Sequence, residues 1–262
     1  MEIKQNKKGQ KIYFASDFHL GIPDYESSLQ RERMLVSWLD NSRKDAAEIF
    51  LMGDVFDFWF EYKTVVPKGY VRLLGKLAEI TEEGISVHLF TGNHDIWSFD
   101  YLHKEINIQL HRHPETRIMM GKTFYLAHGD GLGPGDNGYK FLKKVFSNSF
   151  NQFLFRWLHP DIGAKLGLYF SGKSRLANMI KENKKENLKR LEDEMLYKYA
   201  SGLVQNGLET DYFVFGHRHR PADIELKPGC RMVILGDWLT NFTYAEFDGN
   251  LLSLKYFKTD SL

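Results

Sequence analysis

Five short clusters of Asp, Asn and His have the residue types to do chemistry, and each comes after a run of apolar residues. One, Thr91-Gly-Asn-His-Asp95, directly follows the apolar run Ile85–Phe90, as if a buried strand ended there. The other four are Asp17-Phe-His19, Gly53-Asp-Val-Phe-Asp57, His128-Gly-Asp130 and Gly216-His-Arg-His219. Carboxylate, carboxamide and imidazole groups are metal ligands, so the clusters predict a shared metal centre.

Each cluster alone is a weak signal. An Asp after a strand is often a helix cap, and Asn and Gly are ordinary turn residues. Gly216-His-Arg-His219 is the hardest to explain by packing, because residues two apart in an extended segment point the same way. The five clusters together therefore favour a functional site over a purely structural set.

The ligand types restrict the metal. Imidazole, carboxylate and carboxamide without a sulfur ligand suit Mn, Fe or Zn, and we expect Mn²⁺ ahead of the other two. The candidate ligands outnumber the needs of one ion, which predicts two ions. A pair about 3.5–4 Å apart can clamp a phosphate and support in-line displacement on it. Because free histidines titrate at about pH 6.5, such a site should lose metal as the pH falls.

The first half of the chain predicts the elements that position these clusters. Three apolar runs predict strands and two amphipathic segments predict helices, in the order Lys11–Ser16, Ser27–Lys44, Glu48–Met52, Tyr70–Thr81 and Ile85–Phe90. Strands alternating with helices predict a parallel sheet covered by helices. In such sheets the ligand site lies beyond the carboxyl ends of the strands, where three of the five clusters stand.

The second half changes character. Strands are predicted at Ile106–Leu110, Arg117–Met120, Thr123–Ala127, Asp211–Phe215, Arg231–Leu235, Phe242–Phe247 and Leu251–Phe257, with a hairpin turn at Met120-Gly-Lys122 and an antiparallel tail. Between them the pattern is helical from Gly138 to Asn206, with breaks at His159-Pro160 and Ser171-Gly172. We therefore predict a core domain of residues 1–137 and 207–262 and a helical insertion of residues 138–206.

Composition bounds the class of protein. A chain of 262 residues, 43% hydrophobic and 26% charged, is long enough for one large globular domain or two small ones. Its one cysteine, Cys230, excludes an internal disulfide and a cysteine zinc site. The lysine-rich N-terminus lacks the apolar core of a signal peptide, and no apolar run approaches the ~20 residues that span a bilayer. We expect a cytoplasmic protein, and a net charge of +1 argues against general nucleic-acid binding.

The helical insertion combines positive charge with aromatic rings. From Lys140 to Ala200 there are thirteen Lys and Arg residues against six Asp and Glu residues. Aromatic residues such as Phe141, Phe150 and Trp157 recur at helical spacing, a pattern more often found in cores than on surfaces. A solvated face explains any single charge run, but basic and aromatic residues together also fit an anionic membrane surface.

In this order, the five clusters resemble the full signature of the calcineurin-like metallophosphoesterases, and they span most of the chain. The resemblance implies an α/β fold, namely a four-layer β-sandwich flanked by helices, with a dinuclear metal site. One ion would take Asp17, His19, Asp54 and His219. The other would take Asp54, Asn93, His128 and His217, with Asp54 bridging. His94, oriented by Asp95, would lie near the leaving oxygen or stabilise the transition state.

Within the family, Ser16–Leu20, Gly53–Trp59 and Gly216–Ala222 are similar to the UDP-2,3-diacylglucosamine pyrophosphohydrolases of lipid A biosynthesis. The similarity implies hydrolysis of this acylated nucleotide sugar to 2,3-diacylglucosamine 1-phosphate and UMP. It implies a helical lid that covers the acyl chains and rests on the cytoplasmic face of the inner membrane. The matching substrate-binding positions are Asp136, Ser174, Asn178, Lys181 and His217. In the better-known branch, Arg stands where this chain has His94.

Two other functions stay open at this stage. The same metal site can serve a phosphoesterase for another nucleotide diphosphate or phosphoester, because the metals bind phosphate rather than the attached group. The third hypothesis is a non-catalytic scaffold of the same fold, although all seven ligand positions carry competent side chains.

Overall fold

The computed structural model of the protein describes residues 10–133, 135, 137–185 and 195–258, without the side chains of residues 174–185. The first sheet contains β1 (Lys11–Ala15), β2 (Ala46–Leu51), β3 (Ser86–Phe90), β4 (Gln109–His111), β10 (Thr243–Phe247) and β11 (Leu252–Tyr256). Its spatial order is β11-β10-β1-β2-β3-β4. Strands β1 to β4 are parallel, and β10 and β11 extend the sheet as an antiparallel pair.

The second sheet contains β5 (Glu115–Met119), β6 (Lys122–Ala127), β7 (Tyr212–Phe215), β8 (Ala222–Lys227) and β9 (Cys230–Ile234). Its order is β5-β6-β7-β9-β8, in which β6, β7 and β9 are parallel. The turn between β5 and β6 confirms the hairpin prediction. Met120 and Gly121 have φ angles of 48° and 79°, the left-handed pair that a tight two-residue hairpin requires.

Three helices cover the outer face of the first sheet: α1 (Tyr25–Ser42), α2 (Val71–Glu82) and α3 (Tyr101–Ile106). Helix α1 begins where the Asp24 carboxylate accepts a hydrogen bond from the backbone N–H of Ser27 at 2.9 Å. Helix α2 buries Leu73, Leu77 and Ile80, which recur on one face. They share a hydrophobic core with the outward-facing side chains of β1, β2 and β3.

A second core lies between the two sheets, where Phe14 and Phe50 pack in one cluster with Phe124 and Val214. A third lies on the far side of the second sheet, against α7 (Met195–Gln205). The order of layers is therefore helices, sheet, sheet, helix. This arrangement confirms the predicted four-layer α/β sandwich.

Between β6 and β7 the chain forms α4 (Asn137–Ser147), α5 (Ser149–Arg156) and α6 (Pro160–Lys185), which we call the lid helices. The predicted break at His159-Pro160 is confirmed, but the one at Ser171-Gly172 is wrong, because α6 runs through it. The division into core and insertion stays a prediction. Helix α7 falls within the predicted insertion, yet it buries Leu196 and Ala200 against the second sheet. No helix within the described ranges has both the length and the apolar character needed to cross a bilayer.

The strand assignments need three corrections. The segment Ile106–Leu110 is not one strand, because α3 takes its first residue and Asn107 ends that helix with a φ angle of 60°. Strand β8 was missed, although its sequence alternates apolar and polar residues. The tail is also only partly antiparallel, since β9 runs parallel to β7.

Candidate metal centre

The clusters lie at the carboxyl ends of parallel strands in both sheets. In the first sheet, Asp17 follows β1, Asp54 follows β2 and Asn93 follows β3. In the second sheet, His128 follows β6 and His217 follows β7. Because the two sheets pack face to face, these ends meet along one edge of the sandwich, and the five clusters converge there.

The chain turns sharply at this edge. Asp17, His19, Asp54 and His217 have φ angles of 58°, 44°, 52° and 63°, a left-handed conformation that costs free energy for residues other than glycine. Backbone hydrogen bonds between neighbouring turns hold it, including 3.0 Å bonds from Asp17 N to the Gly53 carbonyl and from His19 N to the Asp54 carbonyl. Strain held in this way is typical of functional sites.

Among the described residues, three groups of potential ligands have their ligand atoms within 4.8 Å of one another. The first joins Asp17, His19 and His219. The Nε2 atoms of His19 and His219 lie 3.2 Å apart, and they lie 3.8 and 3.5 Å from Oδ1 of Asp17. Three ligand atoms thus point at one location.

The second group joins Asp54, His128 and His217, and the third joins His19, Asp54 and His94. The His128 Nε2 atom lies 3.3 Å from Oδ2 of Asp54, and the His128 and His217 ring centres are 5.3 Å apart. Asp54 belongs to two of the groups, so its carboxylate stands between the two halves of the site.

Unsatisfied polar atoms test whether a metal fits. Among the described residues, Oδ1 of Asp17, Oδ1 of Asn93 and Nε2 of His128 are buried without a hydrogen-bond partner. Buried polar atoms are rarely left in this state unless an unseen group satisfies them. Their oxygen and nitrogen chemistry fits divalent cations.

Contacts to the Nδ1 atoms of three histidines orient their Nε2 atoms toward the site. The Nδ1 atom of His128 donates to the Met52 carbonyl at 2.7 Å, and Nδ1 of His19 lies 3.3 Å from Oδ1 of Asp57. The Nδ1 atom of His219 lies 3.5 Å from Oδ2 of Asp237. In each ring, Nε2 is left to face the site, as in metal centres generally. Asp237 was not predicted, although it follows β9 in a Gly-Asp pair like that of Gly53-Asp54.

Charge around Asp54 shifts the acidity of the site. Burial alone would raise the pKa of Asp54, but the neighbouring His128 holds it well below its usual value. Burial would likewise lower the pKa of His128, yet the Asp54 carboxylate raises that pKa to about 10. Burial would also lower the pKa of His219, but the Asp17 carboxylate, whose Oδ1 lies 3.5 Å from Nε2, outweighs it and raises that pKa to about 9. Burial and the charge of His128 lower the pKa of His217 to about 4.

The predicted relation between Asp95 and His94 is wrong. The Asp95 carboxylate accepts hydrogen bonds from Gly92 N at 2.7 Å and Val55 N at 2.8 Å, so it ties two site loops together instead of orienting the imidazole. The His94 ring is held by the Asp57 carbonyl, 3.0 Å from Nδ1, and by Ser171 Oγ at 2.9 Å. Burial and the charge of Asp54 raise the pKa of Asp95 to about 7.

Most of the predicted substrate-binding residues lie outside the part of the chain whose side chains the structure describes. Asp136 lies outside the described residues, as do the side chains of Ser174, Asn178 and Lys181 on α6. Only His217 can be placed, in the second ligand group. The lid helices nevertheless contact the core beside the site. Lys143 on α4 forms a 2.7 Å ion pair with Asp130, which is buried.

The calcineurin-like phosphoesterase family model matches residues 10–221. The chain belongs to that family, which together with the His/Asp groups indicates a site for divalent metal ions.

The chain is also 39% identical to the UDP-2,3-diacylglucosamine hydrolase of Porphyromonas gingivalis, over 94% of this chain and 97% of that protein. It is 25% identical to the enzyme of the same name from Haemophilus influenzae, over 88% and 91% of the two chains. Among solved structures, Yfce, a phosphoesterase from E. coli, matches at 16% identity with a TM-score of 0.42, covering 94% of this chain and 93% of that one.

Proposed function

We propose that the protein is a metal-dependent hydrolase that cleaves UDP-2,3-diacylglucosamine to 2,3-diacylglucosamine 1-phosphate and UMP, a step of lipid A biosynthesis. The observation that carries the proposal is the near full-length similarity to the Porphyromonas gingivalis hydrolase, at 39% identity. Two ligand groups that share Asp54 support it, because cleavage of a pyrophosphate suits a centre of two neighbouring cations.

The ligands we propose for one ion are Asp17, His19, Asp54 and His219. Those for the other are Asp54, Asn93, His128 and His217. Two Mn²⁺ ions held there would neutralise the phosphate oxygens and activate water for attack on phosphorus. The chain itself supplies the fixed orientation of the ligands, since contacts to Met52, Asp57 and Asp237 hold three of the imidazoles.

His94 is the residue we propose to act on the phosphate group. A ring nitrogen of His94 belongs to one ligand group with His19 and Asp54, so the ring borders the place where a phosphate would bind. A hydrogen bond of 2.9 Å from His94 N to Oδ1 of Asp54 fixes the backbone of this loop. His94 can therefore contact a phosphate or leaving oxygen without losing its position.

The lid helices supply the surface for the rest of the substrate. Phe141, Phe150 and Trp157 are 66%, 64% and 76% exposed. These rings therefore form an apolar surface and are not packed in a core. We propose that Asp136, Ser174, Asn178, Lys181 and His217 bind the acylated nucleotide sugar between the lid and the metal centre.

The same surface fits the cytoplasmic face of an anionic inner membrane. Exposed Lys144 and Lys165 lie among these rings, and Lys and Arg near an anionic surface each contribute about 1 kcal/mol to binding. Sedimentation with vesicles tests this. Trp157→Ser should weaken binding to phosphatidylglycerol vesicles, whereas Tyr25→Ser, which removes a ring of similar exposure from α1, should not. Equal binding to neutral phosphatidylcholine vesicles would contradict an electrostatic contribution.

Release of UMP tests the proposed reaction. The purified protein with Mn²⁺ should release UMP from UDP-2,3-diacylglucosamine, and Asp54→Asn should reduce the rate at least 100-fold, roughly the effect of losing a metal ligand. Glu82→Gln, which alters an exposed carboxylate at the end of α2, should keep full activity. Hydrolysis of acyl-free UDP-glucosamine as fast as that of the diacyl substrate would show that acyl recognition is not this protein's role.

A further inference from the structure

Helix α6 is seated on the core through three small residues spaced four apart. A Cβ atom on Gly163 would lie 2.1 Å from the Tyr62 hydroxyl, and one on Gly167 would lie 2.1 Å from Cε2 of Phe58. Residues four apart share a face of a helix, so Ser171 continues the same contact line. This face of α6 therefore lies against the segment that follows Asp57.

Ser171 reaches the metal centre from this line. It is 8% exposed, and its hydroxyl donates to Oδ2 of Asp57 at 2.5 Å. The other oxygen of Asp57, Oδ1, lies 3.3 Å from Nδ1 of His19. One carboxylate thus connects the lid helix to an imidazole in the first ligand group.

The same hydroxyl fixes the proton on His94. The Nδ1 atom of His94 lies 3.0 Å from the Asp57 carbonyl and 2.9 Å from Ser171 Oγ. A carbonyl only accepts hydrogen bonds, so Nδ1 must carry the proton. The Ser171 proton is directed at Asp57, so Oγ accepts from the same Nδ1–H. The neutral His94 ring is therefore held as the tautomer that is protonated at Nδ1.

We propose that Ser171 is a positioning residue that couples the seating of helix α6 to the orientation of His94 and His19. When α6 is seated, the Ser171 hydroxyl forms hydrogen bonds with both the Asp57 carboxylate and the His94 ring. When α6 is displaced, both contacts are lost together. The catalytic consequence rests on the proposed hydrolase function, whereas the hydrogen-bond arrangement does not.

The side-chain ¹⁵N NMR spectrum of His94 in the metal-free, full-length protein tests the geometry without any activity. The wild-type protein should show His94 protonated at Nδ1, and Ser171→Ala should shift the ring toward a mixture of tautomers. Assignment comes from loss of the signals in His94→Gln. A wild-type His94 protonated at Nε2 alone would overturn the proposal. This result comes from the wild-type protein, so His94→Gln, used for assignment, is the one variant that must fold.

Kinetics of the Mn²⁺-loaded enzyme test the consequence. Ser171→Ala should lower kcat about 10-fold with KM changed less than about twofold, an effect typical of losing a contact that orients a group of the metal site, and Ser171→Thr should restore kcat. Ser37→Ala on α1 is the matched control and should match the wild type in both measurements. Unchanged kcat and an unchanged His94 spectrum in Ser171→Ala would refute the coupling. If the wild type releases no UMP, the proposed function fails, while the NMR result still decides the arrangement.

Discussion

Asp54 accepts a hydrogen bond from His94 N, lies 3.3 Å from His128 and belongs to two ligand groups. Metal binding should therefore depend on the position of this carboxylate as well as on its charge. Gly92 makes this placement possible. A Cβ atom on Gly92 would lie 2.2 Å from Oδ1 and 2.7 Å from N of Asp54, and the second of these atoms is backbone that cannot rotate away. Gly92 is thus required by close approach, not by a turn.

Gly92→Ala should therefore displace Asp54 and weaken metal binding about 10-fold or more, the range seen when contacts that orient ligands are lost. Measurement of bound Mn²⁺ by elemental analysis after dialysis checks this. Gly75→Ala is the matched control, because nothing lies within 4 Å of that Cβ position in helix α2. It should keep metal binding and raise the free energy of unfolding by about 0.5–1 kcal/mol. Full metal content in Gly92→Ala would contradict the close-approach argument.

Metal binding should release protons at neutral pH. In the metal-free protein the pKa of His128 is raised to about 10 and that of His219 to about 9, so both rings hold a proton at pH 7.5. A metal ligand must lose this proton. We expect release of about two protons on metal loading and an apparent affinity that rises with pH up to these pKa values. Calorimetric titration of Mn²⁺ in two buffers of different ionisation enthalpy measures the release. Equal heats in both buffers would contradict it.

At the scale of elements, strand ends were predictable and contacts to the lid were not. Asp17, Asp54, Asn93, His128 and His217 each follow an apolar run in the sequence, so local pattern alone reveals them. Ser171 meets Asp57 across 114 residues, and nothing near Ser171 in the sequence signals that contact. The seating of α6 depends on where the whole helix packs, which hydrophobic periodicity does not specify.

Glu61 makes another long-range contact that the local sequence pattern does not signal, and this one begins the short helix α3. Its Oε2 atom accepts hydrogen bonds from the backbone N–H groups of Phe99, Asp100 and Tyr101 at 2.6–3.0 Å, at the start of α3. Its Oε1 atom accepts from Trp59 Nε1 at 3.0 Å. A carboxylate from 38 to 40 residues upstream therefore begins the helix, and nothing near Phe99 in the sequence signals that contact.

Glu61→Ala should lower the free energy of unfolding by about 3 kcal/mol or more, because it leaves four buried or half-buried donors without an acceptor. Urea denaturation followed by circular dichroism measures the loss. Glu105→Ala, on the exposed side of the same helix, should change the value by less than about 0.5 kcal/mol. A Glu61→Ala protein as stable as the control would show that water replaces the carboxylate at no cost.

At the scale of the whole molecule, the site joins the two sheets at one edge, while their inner faces pack together in one apolar core. Asp17 and Asp54 come from the first sheet, and His128 and His217 come from the second. The alternation of strands and helices predicted the first sheet well. The second was less predictable, because its parallel strands β6, β7 and β9 are separated by the lid helices and by the missed strand β8.

Because ligands from both sheets converge on the site, metal ions should stabilise the sandwich as a unit. Binding to the folded state alone adds about 2.7 kcal/mol at a free metal concentration 100 times the Kd. The buried carboxylates Asp17 and Asp54 repel one another, and cations would remove that repulsion as well. Thermal unfolding should therefore move to higher temperature as Mn²⁺ is added, and excess EDTA should reverse the shift. Asp54→Asn should remove most of the shift, since it changes the ligand shared by two groups, whereas Glu82→Gln should retain it. A Tm that does not respond to Mn²⁺ in the wild type would mean that the convergent side chains do not hold metal in solution.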